Sequence, residues 1–103
     1  MKFSEYLPLG SVVLLENGIK KVVIIGYFPT QHTDSGEVVS YEYLGVPYPE
    51  GFVGMDSGML FDHKDIRETI SVGYSNEERE IFVKTLQDII DSTRETVDQA
   101  EKV

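Results

Sequence analysis

Residues 11–25 read SVVLLENGIKKVVII, and this stretch narrows the fold more than any other. Two apolar runs rich in β-branched residues flank Asn17-Gly18, the dipeptide suited to the two positive-φ positions of a type I′ turn, so a β-hairpin is expected. A two-residue loop pairs Glu16 with Ile19, Val13 with Val22 and Val12 with Val23. That register puts Val13, Leu15 and Val22 on one face and Val12, Leu14, Val23 and Ile25 on the other. Both faces are apolar away from the turn. A lone sheet packed on one side would leave one of them wet, so the hairpin is expected to roll into a small barrel or to be covered on its second face by a helix or a partner.

Downstream, residues 26–36 carry Pro29, Asp34 and Gly36 and read as a loop, and β-rich alternation resumes over residues 37–44, EVVSYEYL. On that alternation Val39, Tyr41 and Tyr43 share a face. Residues 45–58, GVPYPEGFVGMDSG, hold four of the nine glycines and read as a structured loop bearing Tyr48, Phe52 and Met55. Residues 59–61 fit a short strand, 62–65 a turn with an Asx-type cap, and 66–74 a last strand. Ser75 to Glu78 spell a capping box, in which the serine hydroxyl accepts from the N3 amide, so a helix starts at Asn76. Its apolar stripe runs through Phe82, Leu86, Ile89, Thr93, Val97 and Ala100, widened by Ile81 and Ile90 in the first turns. The first half is expected to dock on the sheet, with Ile81, Phe82, Leu86 and Ile89 completing the core, and the second half to project.

These readings define one α+β domain over residues 1–103: a small curled antiparallel sheet or SH3-like partly open barrel over about residues 7–74, followed by one long C-terminal helix over about 76–101. A chain of 103 residues buries roughly two-thirds of the surface it exposes when unfolded, enough for a core without a staple. Cysteine is absent, which excludes disulfides, thiol catalysis and thiolate zinc sites and fits a reducing compartment. No segment approaches the ~20 apolar residues that span a bilayer, so a cytoplasmic protein without membrane insertion is expected. Acidic residues outnumber basic ones 18 to 9 with no Lys/Arg stripe to offset them, which argues against nucleic acid as a partner.

Chemistry-bearing residue types are sparse. His32, Asp34 and Ser35 supply the types of a hydrolase triad but lie within four positions of a polar loop, without a G-x-S-x-G elbow. Asp62, His63 and Asp65 are metal-ligand types, yet adjacent side chains of an extended segment point apart. No Walker loop, dinucleotide fingerprint or H-E-x-x-H is present. No catalytic residue, cofactor or metal is therefore assigned, and the chain is expected not to be an enzyme. The candidate surface is instead Tyr41, Tyr43, Tyr48, Phe52 and Met55, since tyrosine, phenylalanine and methionine favour protein interfaces. Val97 and Ala100 on the helix tail are a second candidate, because an apolar strip flanked by Glu95, Asp98 and Glu101 can lie beside a partner's helices.

The ordered set LPLGSVVLL, NGIKKVVIIG, YEYLGVPYPEG, MLFDHKDI and VGYSNEERE resembles a family of small uncharacterised-domain proteins encoded in type VII secretion and LXG toxin clusters of low-GC Gram-positive bacteria. The resemblance covers roughly residues 7–82. It implies a cytoplasmic adaptor or chaperone-like accessory factor that binds the helical secretion-targeting domain of an LXG-type toxin and that domain's small helical-hairpin companions. It brings no catalytic residues, and the tryptophan-glycine motif of the exported hairpins is missing here. Two further functions are compatible with the residues: an immunity protein whose acidic surface neutralises a toxin domain, and a small-ligand module using residues 45–58.

Overall fold

The computed structural model describes residues 5–101, with side chains to residue 92. The chain divides into two compact units, a β unit over Leu7–Tyr74 and a helical unit made of the residues on either side.

The β unit contains seven strands: β1 (Val12–Leu15), β2 (Val22–Tyr27), β3 (Thr30–His32), β4 (Val38–Ser40), β5 (Tyr43–Pro47), β6 (Met59–Phe61) and β7 (Ile66–Ser71). Five form one antiparallel sheet in the order β6-β5-β2-β1-β7, and β3 with β4 form a separate hairpin. Only five residue steps separate Phe61 at the end of β6 from Ile66 at the start of β7. Such a connection spans at most roughly 18 Å. Four interstrand spacings in a flat sheet already come to about 19 Å, before any offset along the strands. The sheet must therefore curl to bring its two edge strands within reach of one short turn. β6 and β7 do not pair, so the SH3-like order stays an open barrel and an α+β fold results.

The hairpin register is the expected one, with Val12 opposite Val23 and Val13 opposite Val22. Its turn is not. Asn17 has φ of 63°, whereas Gly18 is outside the positive-φ region, and the Gly18 amide donates to the Leu15 carbonyl at 3.0 Å. Positive φ at the third residue alone, with an i to i+3 hydrogen bond, is the pattern of a type II turn, so a two-residue type I′ loop is ruled out. The connection runs over residues 16–21, and β1 pairs with β2 through Val12 and Val13 while all four of its residues pair with β7 on the other edge.

Val13, Val22, Ile24, Tyr43 and Phe61 form the buried core on one face of the sheet. A register shift near Ile25 turns Tyr27 to the same side as Tyr43, its partner across the strands. The other face carries Val12, Leu14, Val23, Leu44 and Val46, of which Val46 is buried and the rest are half-buried.

Four other expectations are corrected. Residues 30–32, read as loop, are β3. The strand expected over residues 37–44 breaks after Ser40, where the Tyr41 amide donates to the Pro29 carbonyl at 3.0 Å. Tyr43 then starts β5, which runs into the stretch read as loop because Gly45 leaves room for Val22 and Phe61, where a Cβ would collide. The last strand ends at Ser71, not residue 74.

Gly10, Ser11 and Gly73 close the unit. The Gly10 amide donates to Ile24 O and the Ile24 amide to Ser11 O, at 2.8 and 2.9 Å. The fully buried Ser11 hydroxyl donates to Pro8 O at 2.7 Å and accepts the Gly73 amide at 2.9 Å. Gly73 lies so close to the Leu9 carbonyl that any Cβ would strike backbone.

In the helical unit, α1 spans Glu77–Glu101. Its cap is Asn76, whose Oδ1 accepts the Arg79 amide at 3.1 Å, and not Ser75. The Arg79 guanidinium donates to the Tyr6 carbonyl at 2.9 Å, and Tyr6 and Val83 are the buried side chains among the described residues of this unit. Val83, Leu86 and Ile90 mark the more buried face. Ile81, Phe82 and Ile89, expected as core, are each more than half exposed. The helix is apolar on two faces, and spacing alone did not tell which would be covered.

Candidate functional site

The polar motif residues serve the scaffold. Asp62 caps the short 3-10 turn His63–Asp65, and the Asp65 carboxylate reaches back to the Asp62 amide at 2.9 Å. Asp62 Oδ1 also accepts the Glu42 amide at 3.0 Å, and Glu42 Oε1 accepts the His63 amide at 2.9 Å. His63 Nδ1 lies 2.8 Å from the Tyr43 hydroxyl, which itself accepts the Leu7 amide at 3.0 Å. The Tyr27 hydroxyl donates to Leu7 O at 2.6 Å. This knot ties the residues before β1, the bend before β5 and the turn before β7. His32, Asp34 and Ser35 lie on the exposed β3–β4 hairpin, where Ser35 Oγ pairs with Thr33 Oγ1 at 2.9 Å and no triad assembles. Among the described residues no group of three or more His, Asp or Glu is placed to hold a metal ion, and no helix is long and apolar enough to cross a membrane.

Tyr43, expected at a binding surface, is 0% exposed and belongs to the core. Its ring stacks on Phe61 at 5.4 Å and meets Tyr27 at 6.2 Å and His63 at 5.9 Å. Tyr41 is half-buried. The side chains of Val97 and Ala100 lie outside the described residues.

The remaining three candidates sit together on residues 48–58, and here exposure is large: Met55 is 90% exposed and Phe52 63%, with Tyr48 about half exposed. Val53 and Ile19, which the sequence pattern did not single out, are exposed as well, Ile19 at 97%. Ile19 leads off the same end of the sheet, because Val22 at the start of β2 faces Pro47 at the end of β5. The two loops are tied directly. The Tyr48 amide donates to Lys21 O at 2.9 Å, and Lys20 Nζ pairs with Glu50 Oε1 at 2.7 Å. The lysine's hydrogen bond holds the Glu50 carboxyl below its usual range. Inside the loop the Gly51 amide returns to Pro47 O at 2.7 Å. Ser57 Oγ accepts the Val53 amide at 3.2 Å and donates to Gly54 O at 2.6 Å, closing the 3-10 turn Met55–Ser57. Gly51 and Gly54 take positive φ, which this path requires. The sequence carried no signal for Ile19, because the Asn-Gly reading places it in β2 opposite Glu16 and only the longer turn exposes it.

What this arrangement can do is contact another surface. The apolar side chains stand on a hydrogen-bonded frame and are exposed. A groove of about 390 Å³ lies along α1 with Arg79, Glu80, Lys84 and Asp88 beside Val83, where opposite charges alternate.

The fold and this surface define a small α+β scaffold with an open SH3-like sheet that displays a framed apolar loop. The chain belongs to the family described as Domain of unknown function (DUF4176), whose model matches residues 6–82. No curated protein and no solved structure matches it.

Proposed function

We propose that the chain is a non-catalytic, cytoplasmic protein-binding accessory factor, an adaptor or chaperone-like targeting factor for an LXG-type toxin of type VII secretion. The observation that carries a binding role is the exposure of Phe52, Val53 and Met55 beside Tyr48 and Ile19 on a loop already fixed by hydrogen bonds. Burying a Phe, Val or Met side chain contributes about 1.5–3 kcal/mol each. A pre-ordered loop loses little conformational entropy in doing so, which leaves more of that gain as affinity. Side chains this exposed favour a protein surface over a small ligand, which needs a concave site that buries most of it. The type of partner comes from the motif resemblance. The test is co-purification with the toxin's N-terminal helical half and its C-terminal toxic half separately. An adaptor retains the first, and Phe52→Ser with Met55→Ser reduces recovery at least tenfold.

The net charge of −9 favours one second reading, an immunity protein set against a basic toxin active site. That reading requires retention of the C-terminal half and steep loss of binding with salt. Binding to the N-terminal half that survives ~1 M salt, where the Debye length is about 3 Å, excludes it.

A further inference from the structure

The exposed face of α1 is a second contact surface. Ile81, Phe82 and Ile89 are each more than half exposed. At 3.6 residues per turn, the face they share is turned by roughly 110° from that of Val83, Leu86 and Ile90. Residues 81 and 89 are eight apart, so the strip extends about 12 Å along the axis. We infer that this strip docks an amphipathic α-helix that carries Lys or Arg beside its apolar stripe, supplied by a different protein.

Two features of the molecule fix that occupant. The first is backbone accounting. The amides and carbonyls of α1 bond to each other, so the helix surface offers no ladder to an incoming strand. A segment lying across an apolar helix face must satisfy its own backbone groups, and a helix does so internally. Packed helices approach to about 8–10 Å between axes, which brings the charges flanking the two stripes into range. The second feature is charge. Glu78 lies on the strip and Glu77 and Asp88 border it, whereas Arg79, the cation nearest to it, is already engaged with the Tyr6 carbonyl. A second copy would bring this acidic frame against itself, whereas a basic-flanked helix neutralises it. Such an occupant rests on the protein-binding reading above and adds the chemistry of one partner segment. None of the loop residues takes part.

The experiment uses the full chain and synthetic peptide probes, read by fluorescence anisotropy at low salt. The first peptide is a Leu/Lys amphipathic helix of about five turns. The others are its scrambled isomer of identical composition, a version with glutamate in place of lysine, and a version broken by two central prolines. The amphipathic Leu/Lys peptide is expected to bind at least tenfold tighter than each of the other three. Ile81→Ser/Phe82→Ser/Ile89→Ser is expected to abolish that advantage, with its thermal midpoint within a few degrees of wild type. Val38→Ser, on the β3–β4 hairpin, is expected to leave it intact.

Equal binding of the scrambled peptide means charge alone acts, and equal binding of the proline-broken peptide means no helix is recognised. Either overturns the inference, as does undiminished binding by the triple variant. Wild-type dimers that the triple variant dissociates, seen by sedimentation velocity, would make a second copy the occupant and also overturn it. A marked fall in the triple variant's midpoint would place the strip inside the protein's own fold, which overturns it as well. The loop is tested on recovery of toxin halves and the strip on peptides, so each reading can fail alone.

Discussion

Tyr43→Phe separates a core residue from an interface residue with the removal of one oxygen. The ring keeps its place: a phenylalanine at this position would still stack on Phe61 and meet Tyr27, so no cavity opens and no apolar area is lost. What disappears is the acceptor for the Leu7 amide at 3.0 Å and the partner of His63 Nδ1 at 2.8 Å. A net hydrogen bond contributes about 0.5–1.5 kcal/mol, and a buried group left without its partner costs about 1–3 kcal/mol. Both groups here are part-buried, so the expected loss is about 1–3 kcal/mol. For a domain of this size that lowers Tm by about 4–8 °C per kcal/mol. Urea denaturation is the assay, with an unchanged m-value and a lower midpoint concentration. A cycle with His63→Ala should return a coupling of about 0.5–1.5 kcal/mol, because the two share one hydrogen bond. Stability of Tyr43→Phe within ~0.3 kcal/mol of wild type would refute the reasoning, as would weakened partner binding by a variant that melts normally.

Asn76→Ala should cost about 1 kcal/mol in chemical denaturation and Ser75→Ala nearly nothing, since Asn76 is the helix cap. Gly45→Ala should cost about 1–3 kcal/mol, because its Cβ meets the buried Val22 and Phe61 side chains. Gly73→Ala should cost about 3 kcal/mol or more, since only backbone stands in the way there; a thermal melt of each checks the order. For Glu50, the folded carboxyl titrates below its unfolded value. The tether to Lys20 is therefore intact above the ordinary carboxylate range and lost as pH falls through the lowered folded value. Carbon-detected NMR titration should find the Glu50 midpoint low, and Lys20→Met should return it to the ordinary range.

The readable parts of this sequence were those where one local pattern had one solution. Alternation about Asn17-Gly18 set the register of β1 against β2, and Phe61-Asp62-His63 announced a capped turn. Readability failed where tertiary contacts outvoted local preference. Asn-Gly favours a type I′ turn, yet the pairing of β1 with β2 stops at Val13, β1 continues along β7, and the turn opens. Gly45 and Pro47 look like loop residues, but Gly45 is small because Val22 needs the space. Ser75 and Asn76 are both competent caps, and nothing local chooses between them. The helix has two apolar faces, so periodicity located a stripe without saying which side is covered. At the candidate surface, composition picked out Tyr48, Phe52 and Met55. It also picked out Tyr43, because a tyrosine with a buried, fully bonded hydroxyl looks the same in sequence as an exposed one.

The clasp between Ser11 and Gly73 joins residues 62 positions apart, and β1 has the last strand as its second neighbour. During synthesis, β1 and β2 leave the ribosome first, but only two residue pairs join them, and a two-stranded ribbon is marginal in water. Completion waits for β7, whose docking closes a long loop before any compensating contact forms. The sheet is therefore completed late, and its non-local pairing places folding on the millisecond-to-second scale expected of such β proteins. A nascent chain stalled before residue 66 presents β1 as an open edge, while one extended past residue 73 has that edge sealed by its own last strand.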